Sequence, residues 1–112
     1  MKLVIIESPY KGDVERNKKY ARRALRDSLS RGEAPIASHL LYTQPGVLDD
    51  DIPTERQWGI DAGLAWHAAS NVTTVVYEDY GISSGMQYGI DCADKFGNSI
   101  ERRKIGLNDD QT

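Results

Sequence analysis

KLVIIESP, from Lys2 to Pro9, is the stretch that decides the fold. Leu3-Val4-Ile5-Ile6 is an unbroken branched apolar run without polar alternation. That pattern predicts a strand covered on both faces, and such strands belong to parallel sheets. Ser8-Pro9 stops it. Beyond it the period changes: Ala21, Leu25 and Leu29 recur at four-residue spacing, while Lys18, Lys19, Arg22, Arg23 and Arg26 cover the remainder. An amphipathic helix over residues 13–31 is predicted, with Asp13 as cap, Glu15 at the positive dipole end and Gly32 as terminator.

The short apolar segment 34–41, with His39 near its end, predicts a second strand, followed by a polar loop through Gln44-Pro45-Gly46 and residues 49–51. Thr54-Glu55-Arg56-Gln57 fits a capping box, and Ile60, Gly63 and Leu64 fall on one stripe of a helix running to about His67. Val72-Thr73-Thr74-Val75-Val76-Tyr77 is the strongest strand signal in the chain and predicts a central third strand. Ser84-Gly85-Met86-Gln87 fits another capping box, Ile90 and Ala93 supply an apolar stripe, and Gly97 closes that helix before a last strand in 99–105. Strands alternating with helices predict a small doubly wound α/β fold, Rossmann-like or flavodoxin-like, with a parallel sheet of about four strands and helices on both faces.

Composition bounds the rest. At 112 residues, 39% hydrophobic and 28% charged, the chain suits one globular domain, expected over residues 1–106 with a disordered acidic tail at 107–112. No apolar run reaches membrane-spanning length, so no membrane partner is expected. A net charge of -3 gives no basis for polymeric nucleic acid as a partner. The single cysteine, Cys92, forms no internal disulfide, and the amino terminus lacks a secretory pattern, so a cytoplasmic protein is expected.

In doubly wound sheets ligands sit beyond the carboxyl ends of the strands, where strand order reverses. That selects the loops at 7–13, 38–53 and 78–84. In the first, Tyr10 either covers a base or sugar or packs on the next helix; Lys11 supplies a cation, Gly12 adjoins the helix end, and Arg16 and Asn17 follow in its first turn. Gly81-Ile82-Ser83-Ser84-Gly85, with Met86 behind, either receives a phosphate on its amides and hydroxyls or is a turn in which Ser84 only caps the helix. It lacks the lysine of a Walker loop and the glycine pattern of a dinucleotide fingerprint. His39 is either a ligand contact or a structural loop histidine, and His67 reads as helix surface. These histidines and Cys92 have no metal-ligand spacing, so neither metal nor cofactor is expected. Of the acids Glu7, Glu55, Asp61, Glu78, Asp79 and Asp91, Glu78 and Asp79 at the end of the third strand are the best placed to catalyse, and Asp91 pairs with Lys95 along a helix. Trp58 and Trp66, eight apart, suit core or dimer packing.

LVIIESPYKG (residues 3–12) resembles the strand and Pro-Tyr turn that open nucleoside 2-deoxyribosyltransferase-like proteins. PIASHL (35–40) and TVVYEDYGISSGMQYGIDCA (74–93) look like further landmarks of that family. The resemblance implies a nucleoside phosphate or related nucleotide ligand, with Tyr10 on the sugar or base, Ser83, Ser84 and Gly85 on a phosphate, Asp61 as a weaker sugar contact, and a homo-oligomer whose subunits complete each other's sites. It also implies N-glycosidic bond chemistry, but the family's attacking glutamate falls at Gly89, beside Tyr88. Glycine offers no carboxylate to an oxocarbenium-like centre, so Glu78 or Asp79 is expected to activate water instead. The alternative is a catalytically inert nucleotide-binding or sequestering module. A phospho-accepting receiver-like domain ranks last, because the first strand does not end in an acidic pair.

Overall fold

The computed structural model describes residues 1–69 and 71–107; the acidic tail expected at 107–112 lies, beyond Leu107, outside the described residues. Among the described residues four strands and four helices follow one another as β1 (Lys2–Glu7), α1 (Val14–Ser30), β2 (Glu33–Ile36), α2 (Ser38–Leu41), α3 (Pro53–Ala68), β3 (Val72–Tyr77), α4 (Ser84–Lys95) and β4 (Ile100–Arg103). The sheet order is β2-β1-β3-β4 and every pairing is parallel. From β1 the chain moves outward to β2, then returns across β1 to place β3 and β4 on the other side. Strand order therefore reverses between β1 and β3, as a small doubly wound fold requires.

The strands are buried because both faces are covered. Val4 and Ile6 of β1 and Val75 and Tyr77 of β3 pack with Tyr20, Ala21 and Ala24 of α1 and with Leu40 of α2. The opposite parity faces α4, where Val76 meets Met86 and Ile90. Since side chains alternate along a strand, Glu7 projects away from α1 and toward α3 and α4.

Several boundaries differ from the sequence expectation. The second strand ends at Ile36, and Ser38–Leu41 forms a one-turn helix, so His39 is helical rather than the end of a strand. A short apolar run does not distinguish the two. Thr54 is not a cap: Pro53 opens α3 behind Ile52, which makes no side-chain cap bond, in keeping with the fixed φ of proline at a first helical position. Ser83 rather than Ser84 caps α4, its Oγ accepting the Met86 N–H at 3.2 Å while its own N–H reaches the Met86 sulfur at 3.4 Å. In α1 the buried seam is Asn17, Tyr20, Ala21, Ala24 and Ser28, and Leu29 is exposed. Small residues let this helix lie close to the sheet. β4 stops at Arg103, short of the expected 105.

One polar cluster spans the sheet beneath α1. Arg103 of β4 donates to Glu33 of the opposite edge strand at 2.7 and 2.8 Å, and Ser28 of α1 donates to the same carboxylate at 2.7 Å. These bonds hold the Glu33 carboxyl down at about 2, with the Arg103 guanidinium as the main cause. Among the described residues no helix is long and apolar enough to cross a membrane.

Candidate functional site

A cleft of about 600 Å³ opens at the carboxyl ends of β1 and β3, lined by Glu7, Ser8, Tyr10, Lys11, His39, His67, Ser83, Ser84, Gly85, Met86, Tyr88 and Gly89, together with much of α3. A second hollow of about 820 Å³ adjoins it, sharing Tyr10 and Lys11 and bounded by Gly12 and the loop from Thr43 to Asp51.

The first wall is the β1–α1 loop. Gly12 takes a left-handed φ of 99°, which a side chain would strain. Asn17, buried on α1, donates through Nδ2 to the carbonyls of Tyr10 at 2.9 Å and Lys11 at 3.0 Å. It therefore holds the loop in place rather than facing the cleft. The second wall is the start of α4. Gly81 turns the chain at φ 84°, Ser83 caps the helix, and Ser83, Ser84 and Gly85 are exposed at its positive end.

The floor is Glu7. Its carboxylate lies 3.3 Å from His67 Nε2, with the side chains 13% and 6% exposed respectively. Thr74 Oγ1 sits 3.4 Å from His67 Nδ1 on the far side of the ring. Burial drives the Glu7 carboxyl above the ordinary carboxylate range, although the hydrogen bond and charge of His67 oppose this. Gly89 of α4 packs directly against it. A β-carbon at Gly89 would lie 2.5 Å from each Glu7 carboxylate oxygen. His39 stands beside the floor, with Nε2 2.6 Å from Ser8 Oγ. Desolvation lowers His39 to about 4, so the ring is neutral at pH 7 and acts by hydrogen bonding.

The structure thus brings Tyr10, Lys11, His39, Ser83, Ser84, Gly85 and Met86 to one cleft, with Gly12 on its neighbour. Four other expected site residues are elsewhere. Arg16 lies with its guanidinium 3.9 Å from the Tyr80 ring centre. Asp61 is exposed on α3 and accepts from Gln57 at 2.8 Å. Glu78 is paired with Arg102 at 3.1 Å. Asp79 accepts from Tyr20 and from the amides of Ile105 and Gly106, each amide at 2.9 Å. Burial alone raises the Asp79 carboxyl, but these bonds hold it below its ordinary value. Its work is to fasten the segment after β4 to α1, and neither acid lines the cleft.

His67 corrects the sequence reading outright: it is the buried residue of α3, not surface. The tryptophans expected in a core or contact are 62% exposed at Trp58 and 41% at Trp66. Glu7 and His67 are the pair that sequence reasoning ranked too low. The sequence hints only at Glu7, through the side-chain alternation along β1 and an interior helical glycine at 89 that costs about 1 kcal/mol relative to alanine; both become legible only with α4 placed against β1, and nothing in the sequence marks His67. Among the described residues no cluster of three or more histidines, cysteines and acids is arranged to hold a metal.

Fold and cleft together define a doubly wound α/β domain whose switch-point cavity has a buried carboxylate as its floor. The chain belongs to the family described as a domain of unknown function, DUF7768, whose model matches residues 2–103. No curated protein matches it.

Proposed function

We propose that the cleft binds a nucleoside phosphate or related nucleotide and that its chemistry is directed at the N-glycosidic bond, as in a nucleoside deoxyribosyltransferase or nucleotide N-glycosidase. The observation that carries this is the convergence of Tyr10 and the Ser83-Ser84-Gly85 turn on one cavity. An aromatic ring suits a base or sugar, and the Ser84 and Gly85 amides, which the cap bonds of Ser83 and Met86 leave unused at the start of a 12-residue helix, suit a phosphate. Gly89, which supplies no carboxylate, favours a second reading, in which the protein holds the nucleotide without turning it over.

The ligand is a free small molecule and not a polymer. The buried, unpaired Cys92 suits a reducing, cytoplasmic setting, and exposed Trp58 and Trp66 on α3 suit a contact between copies of the chain.

Titration with a panel of ribo- and 2′-deoxynucleoside 5′-monophosphates, followed by calorimetry and by chromatography for free base, tests the reading. Binding by at least one member, weakened about tenfold or more by Tyr10→Ala through loss of ring stacking, is expected. No binding by any member would overturn it.

A further inference from the structure

We propose that the Glu7 carboxylate is the catalytic group of this cleft, acting at the anomeric carbon of the bound nucleotide; this rests on the nucleotide reading above and deepens it. Glu7 occupies the volume that a side chain on Gly89 would fill, so the wall of α4 is recessed for a carboxylate delivered from β1. A glycine inside a helix is a cost, and the space it leaves here is taken by those two oxygens.

A structural ion pair does not account for the arrangement. Among the described residues the ion-pair partner of Glu7 is His67, and no lysine or arginine nitrogen pairs with it within 4.0 Å. An interior carboxylate lacking a permanent cation is destabilising, yet this one stands at the switch point of the sheet and lines the cavity. Its place on the cavity floor is joined by burial that raises its proton affinity, as in carboxyls that transfer protons. His67 is itself set by Thr74 on its other nitrogen, which fixes the ring against Glu7.

The step is hydrolytic. The Glu7 carboxylate takes a proton from water as the water oxygen bonds to the anomeric carbon. The bond from that carbon to the base nitrogen breaks, its electron pair stays on the nitrogen, and the proton held by Glu7 passes to the departing base through solvent. Nucleotide and water become sugar phosphate and free base. Positive charge developing on the sugar ring is faced by the negative floor.

The test follows base release and binding separately across the nucleoside 5′-monophosphate panel, in wild type, Glu7→Gln and Glu7→Asp. Glu7→Gln is expected to slow release about 10²–10⁴-fold while the dissociation constant stays within about threefold. Glu7→Asp keeps the charge but withdraws it by one methylene, and is expected to slow release about tenfold or more; it decides the matter should the glutamine variant not fold. Release at the wild-type rate in a folded variant overturns the proposal. So does a wild type that binds a nucleotide and releases no base, an outcome that leaves the binding reading standing. Failure of wild type to bind any member removes the binding reading itself, and this proposal with it.

Discussion

Glu7 and Gly89 compete for one volume, and that competition is measurable without a ligand. Gly89→Ala places a methyl 2.5 Å from the carboxylate oxygens, closer than packed atoms tolerate, and overpacking of this kind costs about 1–3 kcal/mol. In a Glu7→Ala background the clash is gone, so the same substitution is expected to be neutral or stabilising through helix propensity. Urea denaturation of the four proteins gives the coupling; additive effects would show that the two residues do not touch.

Protonation at the residue scale has opposite signs on the two sides of the cleft. His39, lowered from 6.5 to about 4 by desolvation, takes up its proton more readily in the unfolded chain. Its contribution is complete above pH 6.5 and lost as pH falls toward 4. Glu33, lowered from 4.5 to about 2, likewise contributes above pH 4.5 and loses that contribution toward pH 2. Glu7 is raised, so the folded state holds its proton more tightly and gains stability as pH falls through the folded value. Denaturation midpoints between pH 7 and pH 4.5 are therefore expected to fall less in His39→Gln and more in Glu7→Gln than in wild type. Parallel profiles would contradict both assignments.

At the scale of elements, the cap of α4 lies where folding meets the proposed phosphate contact. Ser83→Ala removes the bond to the Met86 amide and is expected to cost about 1 kcal/mol. It should also weaken nucleoside monophosphate binding, read by calorimetry, because the freed amides at the helix start lose their fixed direction. A stability loss with unchanged affinity would separate the cap from the proposed phosphate contact. The elements differ in how far they are legible in sequence. β1 is legible because its apolar run is continuous, β3 because it is dense in β-branched residues, and α1 because both of its ends carry stop signals. Its buried face is not, since the seam of Ala21, Ala24 and Ser28 is chosen by closeness to the sheet and leaves Leu29 outside. α2 is lost for a related reason: neighbouring structure decides whether Ser38–Leu41 extends or coils.

The site is partly legible on the same terms. Tyr10, His39 and Ser83 to Met86 follow from the rule that ligands gather at strand carboxyl ends, and they do share a cleft. Which acid faces that cleft is a matter of side-chain parity and of what packs opposite. Glu78 and Asp79 share the end of β3, yet Arg102 and Tyr20 take them, and Glu7 is found only once α4 is laid against β1.

For the whole molecule, the Arg103–Glu33 bond spans the sheet from one edge to the other. Both side chains are 8% exposed, and removing one partner of such a pair strands the other charge. Arg103→Leu is expected to cost about 3–5 kcal/mol by denaturation, and Glu33→Gln/Arg103→Leu together less than the sum; an effect under about 1 kcal/mol, as at a surface pair, would show that the pair does not hold the edges. Light scattering is expected to give a homo-oligomer that Trp58→Glu dissociates, and a wild-type monomer at working concentration would remove the α3 contact from the account.

One nucleotide is proposed to span the cavity from Tyr10 to the start of α4 above Glu7. A crystal structure of Glu7→Gln with a bound nucleoside 5′-monophosphate checks this placement. Phosphate on the Ser84 and Gly85 amides, base or sugar against Tyr10, and the anomeric carbon over residue 7 are expected. A nucleotide seated in the neighbouring hollow, or with its phosphate away from α4, would contradict it.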